Sequence, residues 1–230
     1  MLANMALQDE EAVGMTALDT RATTRPRRRA ADVPPVDKVA ARRSELAAAA
    51  LKTLSELGYA RTSLREIAQN SEFSHGVLHY YFRDKVDLIT YCVREYNAQC
   101  VTRYDGVVAT AATPEELAEG FLRKLGETLV DDAPLHRLWY DLRNQSMFEP
   151  AFHDDVAAID RSLERMIWRI VSRYAELTGR TPLTGPAALY AVVDGLFQQA
   201  LLRQLAGDPA AADDLRTAVG QLLPALLRPT

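Results

Sequence analysis

The chain has 230 residues, of which 48% are hydrophobic and 7% aromatic, with a formal net charge of −4. This composition excludes a wholly disordered chain, and 11 Gly with 11 Pro exclude a collagen-like one. No apolar run is long enough to span a membrane, and the N-terminus lacks a basic segment followed by an apolar one. We therefore expect a cytoplasmic protein.

Charge is unevenly distributed along the chain. Residues 21–100 contain 14 Lys and Arg against nine Asp and Glu, whereas residues 101–230 contain 13 against 18. A basic segment on an acidic protein is either a solvated face or a surface that binds phosphate. Composition alone does not choose between them.

Residues 1–36 are predicted to form a flexible N-terminal arm. They show little apolar periodicity, contain an Arg cluster between Arg25 and Arg29, and end in Pro34-Pro35. The arm either contacts DNA or is only a disordered, solubilising segment.

Three predicted helices follow the arm. Apolar residues at helical spacing predict an amphipathic helix over 38–57, which Gly58 ends. Ser63 and Glu66 form a capping box that opens a short second helix. Ser74 caps another short helix, from His75 to about Tyr81.

The rest of the chain is predicted to be helical. Asp84 opens a helix from Lys85 to about Gly106, and no period-2 pattern with hairpin signals indicates a strand. We therefore expect an all-α fold. The further helices are predicted over 114–129, 134–147, a long segment to residue 177, 186–205 and 211–227.

Two short capped helices after a longer one are typical of a helix-turn-helix. Leu64, Ile67, Phe73 and Leu78 are predicted to form its small core. The outward side of the second short helix then suits a DNA major groove. That side is predicted to carry His75, Gly76, Val77, His79 and Tyr80.

The helix-turn-helix resembles the DNA-binding domain of TetR-family transcriptional regulators. The resemblance is carried by residues 58–68, by Phe73-Ser-His-Gly-Val-Leu78, by Tyr81-Phe-Arg-Asp-Lys85 and by Leu88. The sequence departs from the family pattern at Glu72, Phe73 and His79, of which His79 bears on the operator sequence.

The resemblance implies a DNA-binding residue for each part of the motif. Backbone contacts are expected from Thr62, Ser63 and Arg65, and a phosphate contact from Lys85. The groove would be faced by Ser74, His75, Gly76, Val77, His79 and Tyr80.

The resemblance implies a domain plan with an arm over 1–36, a DNA-binding domain over 37–83, and a helical effector-binding and dimerisation domain over 84–230. Residues 186–205 are apolar nearly all round, which indicates burial between the core and a partner subunit, or wholly inside the core. The apolar residues of the preceding long helix supply a second candidate, so that two helices from each subunit would form a four-helix interface. The dimerisation residues proposed on these two helices are Met166, Ile170, Tyr174, Val193, Phe197 and Leu201.

A ligand pocket is predicted around residues 138–148, where aromatic and polar side chains alternate at helical spacing. A purely structural pair through Asp141 or Arg143 explains the same pattern. The predicted ligand-binding residues are Tyr96, Phe121, Trp139, Tyr140, Arg143, Asn144 and Met147.

Enzyme and metal functions find little support. His75 and His79 have the spacing of a metal pair, but no third ligand lies nearby in the sequence, and no cofactor is expected. Phosphate-loop and nucleophile-elbow motifs do not occur. Cys92 and Cys100 would lie about 12 Å apart on one helix, too far for a disulfide, and read as buried thiols.

The resulting hypothesis is a homodimeric repressor of a palindromic operator on double-stranded DNA, released by an unknown small-molecule effector. In it, an effector shifts the helix from Lys85 and so changes the separation of the two recognition helices. The alternatives are a helical interaction protein without DNA binding and, more remotely, an enzyme.

Overall fold

The computed structural model describes residues 35–228, with side chains from Lys38 onward, so the predicted arm lies almost entirely outside it. The described residues form helices, with one isolated β-bridge between Pro182 and Leu227, which confirms the all-α prediction. The helices are α1 (Pro35–Leu57), α2 (Leu64–Gln69), α3 (His75–Tyr81), α4 (Lys85–Cys100), α5 (Asp105–Thr110), α6 (Pro114–Asp131), α7 (Ala133–Gln145), α8 (His153–Thr178), α9 (Pro186–Leu205) and α10 (Ala211–Ala225).

The N-terminal helices form as their end signals predict. Gly58 ends α1 with φ +76°, a conformation that favours glycine. The Ser63 hydroxyl accepts from the Glu66 N–H at 3.2 Å, and the Glu66 carboxylate accepts from the Ser63 N–H at 2.7 Å. This reciprocal pair is the predicted capping box of α2.

The core under α2 and α3 comes from α1, α4 and the two short helices. Leu54, Ile67, Leu78 and Leu88 are fully buried there, each at 0% exposure. Phe73, predicted to share this core, is only half-buried and lies under the Arg42 guanidinium. We call α1, α2 and α3 the head.

The predicted continuous helix from Lys85 to Gly106 is wrong. α4 ends at Cys100, and a turn over 101–104 separates it from the short α5. Carbonyls in the turn bind distant side chains, since Arg169 donates to Val101 O at 2.6 Å and Lys124 donates to Arg103 O at 2.8 Å. These tertiary bonds satisfy backbone groups in the turn, which a continuous helix would have satisfied locally.

Helices α6 to α10 and α4 pack around a continuation of the same hydrophobic core. α10 packs on α6 and α9, and α8 packs along α9. Glycines in the left-handed region follow α8 and α9, with Gly179 at φ +65° and Gly207 at φ +83°. In the described range, none of the helices is long and apolar enough to cross a bilayer.

Candidate DNA-binding surface and ligand cavity

The head presents α3 to solvent. His75, Gly76, His79 and Tyr80 are exposed, Tyr80 by 81%, while Leu78 on the opposite side is fully buried. The Ser74 hydroxyl caps the helix by accepting from the Val77 N–H at 3.3 Å. A capped helix with an uncovered polar and aromatic face is the arrangement that reads base edges in a major groove.

Most of the other predicted DNA residues surround this face. Ser63, Arg65 and Ser74 are exposed, and Val77 is half-buried at the edge of the α3 face. Thr62 is different, because it is only 2% exposed and its hydroxyl donates to Gly58 O at 2.7 Å. Its side chain holds the turn before α2, which corrects the expected DNA contact.

Lys85 is half-buried at the start of α4. Its Nζ donates to Tyr59 O at 2.6 Å and lies 3.9 Å from the centroid of the Tyr59 ring. Burial lowers the pKa of Lys85, and the negative charges of Glu66 and Asp141 oppose that shift. The ammonium group therefore binds the turn after α1 in this structure, next to the surface where a phosphate contact was predicted.

A cavity of about 90 Å³ lies among α4, α6, α7, α8 and α9. Its wall is strongly aromatic, which suits a ligand of mixed apolar and polar character. The aromatic and imidazole side chains that line it are those of Tyr96, Tyr104, His136, Trp139, Tyr140, Tyr190 and Phe197.

A half-buried charge network reaches the cavity through Asp194. Asp194 of α9 accepts from the Tyr140 hydroxyl at 2.8 Å and from Arg143 Nη1 at 2.5 Å. Asp160 of α8 accepts from the Tyr190 hydroxyl at 2.8 Å and lies 3.5 Å from Arg143 Nε. Two carboxylates thus share one guanidinium, which leaves this network with an excess negative charge.

His136 lines the cavity as a neutral imidazole. Burial, followed by the positive charge of Arg103, lowers its pKa to about 4, while Asp132 opposes the shift. Its Nε2 lies 2.9 Å from Thr128 Oγ1. Arg103 itself pairs with Asp132 at 2.5 Å, so this side of the cavity is balanced in charge.

Two polar groups in the cavity wall lack a partner. The Tyr96 hydroxyl and the Trp139 indole N–H are buried and make no hydrogen bond within residues 35–228. Unpaired buried donors cost free energy, and they are uncommon in native proteins. Both are therefore available to an acceptor atom on a bound molecule.

Three of the seven predicted ligand-binding residues, Tyr96, Trp139 and Tyr140, line the cavity. Arg143 reaches it only through Asp194, and Phe121 packs behind it, with its ring centroid 5.1 Å from that of Tyr104. The expectation was wrong for two residues whose side chains are exposed on α7 and beyond its end, Asn144 and Met147.

The sequence-based prediction missed Asp194, His136 and Tyr190. An acidic residue within the otherwise apolar sequence of α9 was the available signal, because a carboxylate in a buried helix needs a partner or a ligand.

Two family profiles match the chain. Residues 46–92 match the profile of bacterial regulatory proteins of the tetR family. Residues 114–228, half of the chain, match that of the C-terminal part of BetI-type transcriptional repressors. The chain belongs to the TetR family. It is a DNA-binding transcriptional regulator and not an enzyme, which confirms the predicted class.

Individual relatives agree with this assignment. A BetI transcriptional regulator of Burkholderia mallei is 28% identical over 176 residues, which cover 73% of this chain and 84% of that protein. The FadR regulator of Bacillus subtilis, solved with stearoyl-CoA, has a TM-score of 0.64 at 18% identity, over 78% of this chain and 96% of its own. A transcriptional regulator of Saccharomonospora viridis, solved with choline, has a TM-score of 0.64 at 17% identity, over 83% of this chain and 100% of its own.

The residues predicted for dimerisation of this TetR-family chain do not form an exposed face. Met166, Ile170, Val193, Phe197 and Leu201 are each less than one-tenth exposed in the single chain, and Tyr174 is half-buried. They pack the α8–α9 contact and the cavity wall, because the inward stripe of each helix faces its own chain's core. This finding corrects the choice of residues.

The outward face of α9 is apolar and uncovered in the single chain. Val192 is 44% exposed, Leu202 58% and Leu205 41%. Ala188, Ala191 and Gln199 are exposed on the same helix. Sequence periodicity did not separate this face from the inward one, because apolar residues occupy both.

The sequence analysis also singled out two cysteines and a pair of histidines. Cys92 and Cys100 are free, buried thiols, and burial raises the pKa of both. The rings of His75 and His79 contact each other edge to face at 4.4 Å between centroids. Within residues 35–228, no cluster of three or more potential metal ligands occurs.

Proposed function

We propose that this TetR-family regulator is a cytoplasmic repressor that binds a palindromic operator as a homodimer and leaves it when a small molecule occupies the cavity. The observation that carries the proposal is the pairing of an exposed, capped α3 with a cavity whose wall holds two buried donors, the unpaired Trp139 indole N–H and the Tyr96 hydroxyl, which has only the Cys100 thiol beside it. In this proposal residues 37–83 bind DNA and residues 84–230 sense the effector and dimerise.

The head reads DNA through α3. His75, Gly76, Val77, His79 and Tyr80 face the major groove, where Gly76 permits close approach. Phosphate contacts come from Ser63, Arg65, Ser74 and Lys85, with Lys85 exchanging the Tyr59 carbonyl for a phosphate.

The partner subunit covers the outward face of α9. Val192, Leu202 and Leu205 place apolar side chains on a face that otherwise remains in water. Pairing this face with its copy about a two-fold axis gives two heads per dimer, which matches two operator half-sites about one helical turn or slightly more apart.

The effector is a compact organic cation with a hydrogen-bond acceptor. Aromatic faces and the excess negative charge around Asp194 and Asp160 favour a cation. Tyr96 and Trp139 supply donors for its acceptor atom. Choline has both features, and the S. viridis structure with choline shares this fold.

DNA binding is tested by selecting genomic fragments with the purified protein and then measuring electrophoretic shifts against bulk competitor DNA. A preferred palindromic fragment near the protein's own promoter supports the proposal. A folded protein that prefers no fragment overturns it and favours the alternative of an interaction protein without DNA binding.

Effector binding is tested by titrating choline into the protein–DNA complex and into free protein by calorimetry. Choline should bind to the protein and cause it to dissociate from the DNA. Asp194→Asn should weaken choline binding, while Asp213→Asn, at an exposed position on α10, should not. If choline and larger alkylammonium ions leave both the heat signal and the complex unchanged, the proposed cation class is wrong.

A further inference from the structure

Helix α7 contacts both the cavity and the head. We infer that Asp141 of α7 positions the DNA-binding helices, by holding the Tyr59 backbone, and that α7 transmits cavity occupancy to the head through this contact. The inference rests on the proposed function, because it describes how an effector would change DNA affinity.

The head-facing side of α7 binds the backbone at the end of α1. Asp141 Oδ2 accepts from the Tyr59 N–H at 2.7 Å, a hydrogen bond to a charged acceptor. One turn earlier, the Arg137 guanidinium donates to Ser55 O and, at 3.0 Å, to Glu56 O. Side chains of α7 therefore bind three backbone groups, which are the carbonyls of Ser55 and Glu56 at the end of α1 and the N–H of Tyr59 in the turn that follows.

The turn that receives these bonds leads directly into α2. Gly58 adopts φ +76°, and a Cβ there would lie 3.2 Å from Asp141 Oδ2, so glycine permits the close approach. Thr62 closes the turn by donating to Gly58 O, and Ser63 then caps α2. Since few residues separate Tyr59 from α2, a shift at Tyr59 alters the direction of α2 and of α3 packed on it.

The cavity-facing side of α7 is held by α9. Trp139 and Tyr140 line the cavity, and Tyr140 and Arg143 both bind Asp194. At about 100° per residue, the centre of this side lies roughly 130°, or more than a third of a turn, away from that of Arg137 and Asp141. A rotation or shift of α7 therefore changes the cavity-facing and head-facing contacts together.

A cation in the cavity competes with Arg143 for Asp194. When Arg143 loses this partner, α7 is held less firmly against α9 and occupies a different position beside α1. The Asp141 contact with Tyr59 then opens, and the head gains freedom to leave the spacing that the operator requires. An effector acts by favouring this state over the DNA-bound state.

The test does not need the effector. Hydrogen exchange of the Tyr59 amide, resolved by NMR, should be slow in the wild type and at least about tenfold faster in Asp141→Ala, because a bond to a charged acceptor is lost. Asp141→Asn keeps an oxygen acceptor and should restore most of the protection. Asp131→Ala, at an exposed carboxylate near the end of α6, is the matched control and should leave exchange unchanged.

The coupling itself is tested with a second change on the cavity side. Asp194→Asn should also accelerate exchange at Tyr59, although within the described part of the chain Asp194 and Tyr59 share no hydrogen bond. In the Asp141→Ala background, Asp194→Asn should add nothing. The inference is wrong if Asp194→Asn leaves hydrogen exchange at the Tyr59 amide unchanged. It is also wrong if Asp194→Asn accelerates that exchange equally in the wild type and in Asp141→Ala.

DNA affinity gives an independent measurement for the same variants. Asp141→Ala and Asp194→Asn should each weaken binding to the selected fragment, with Asp141→Asn closer to the wild type. If the wild type binds no fragment, the proposed function fails, whereas the amide exchange still decides whether α7 links the cavity to the head.

Discussion

Gly58→Ala tests whether the close approach between α7 and the head matters for DNA binding. Alanine at φ +76° costs about 1–2 kcal/mol, because the Cβ meets its own backbone in the left-handed region. The new Cβ would also lie 3.2 Å from Asp141 Oδ2. That carboxylate must then move by a few tenths of an ångström, which lengthens its 2.7 Å bond to the Tyr59 N–H. We expect roughly 1 kcal/mol of additional destabilisation from the weakened bond.

Gly179→Ala is the matched control. Gly179 has φ +65°, and a Cβ there would meet nothing within 4 Å. Both variants should lose thermal stability, by roughly 2–4 °C per kcal/mol for a chain of this size. Only Gly58→Ala should also lose affinity for the operator fragment, measured by fluorescence anisotropy. If the two variants match in both stability and DNA affinity, the contact between Gly58 and Asp141 does not position the head.

Three further predictions concern other parts of the molecule. Lys85→Ala should weaken binding to all DNA sequences and reduce the slope of log K against log salt by about one, whereas an unchanged slope would leave Lys85 only its bond to Tyr59. Leu202→Glu should convert a dimer to a folded monomer in sedimentation at micromolar concentration, because Leu202 is 58% exposed on the α9 face, and a persistent dimer would place the interface elsewhere. His136 has a pKa of about 4 in the folded state, so an unfolded chain binds its proton first as the pH falls below about 6.5. His136 should therefore lower the free energy of unfolding by about 2 kcal/mol between pH 7 and 5. Denaturant titrations measure this loss, and it should be absent in His136→Gln. A variant that loses as much stability as the wild type would contradict a neutral, buried His136.

The head could be predicted almost completely from the sequence, because its signals are local. The hydroxyl of Ser63, its Glu66 partner and the glycine at position 58 act within a few residues. Such signals predict where a short helix begins or ends without knowledge of its neighbours. The exposed side of α3 could be predicted in the same way, because the apolar Leu78 side chain points into the core and leaves the opposite side of the helix in solvent.

The break after α4 could not be predicted, because its cause lies far away in the sequence. Val101 O binds Arg169, and Arg103 O binds Lys124. No local signal such as Gly or Pro marks this turn, and Gly106 falls beyond it, inside α5. Where tertiary hydrogen bonds replace those within a helix, the apolar periodicity of the sequence predicts a helix that is too long.

The cavity could be predicted only in part for a related reason. Aromatic residues around Trp139 identified the correct helix, α7, but not which helices face it. Asp194 lies 55 residues further along the chain, and only the packing of α9 on α7 brings it to Tyr140 and Arg143. The structural-pair alternative for Asp141 and Arg143 was close to the observed contacts, in which Asp141 binds the Tyr59 N–H and Arg143 binds Asp194.

Side chains of two cavity-lining helices bind the backbone of Tyr59, and the binding residue lies nearer the cavity wall on one helix than on the other. Asp141 of α7 holds the N–H, and Lys85 of α4 holds the carbonyl. Tyr140, in the cavity wall, is adjacent to Asp141 in sequence, whereas the first cavity residue of α4, Val93, lies eight residues from Lys85, or about 12 Å along the helix. A displacement at the wall therefore reaches Tyr59 through α7 with less chance to be absorbed by bending or side-chain rearrangement. This is why coupling through α7 is expected to dominate over the α4 movement that the sequence first suggested.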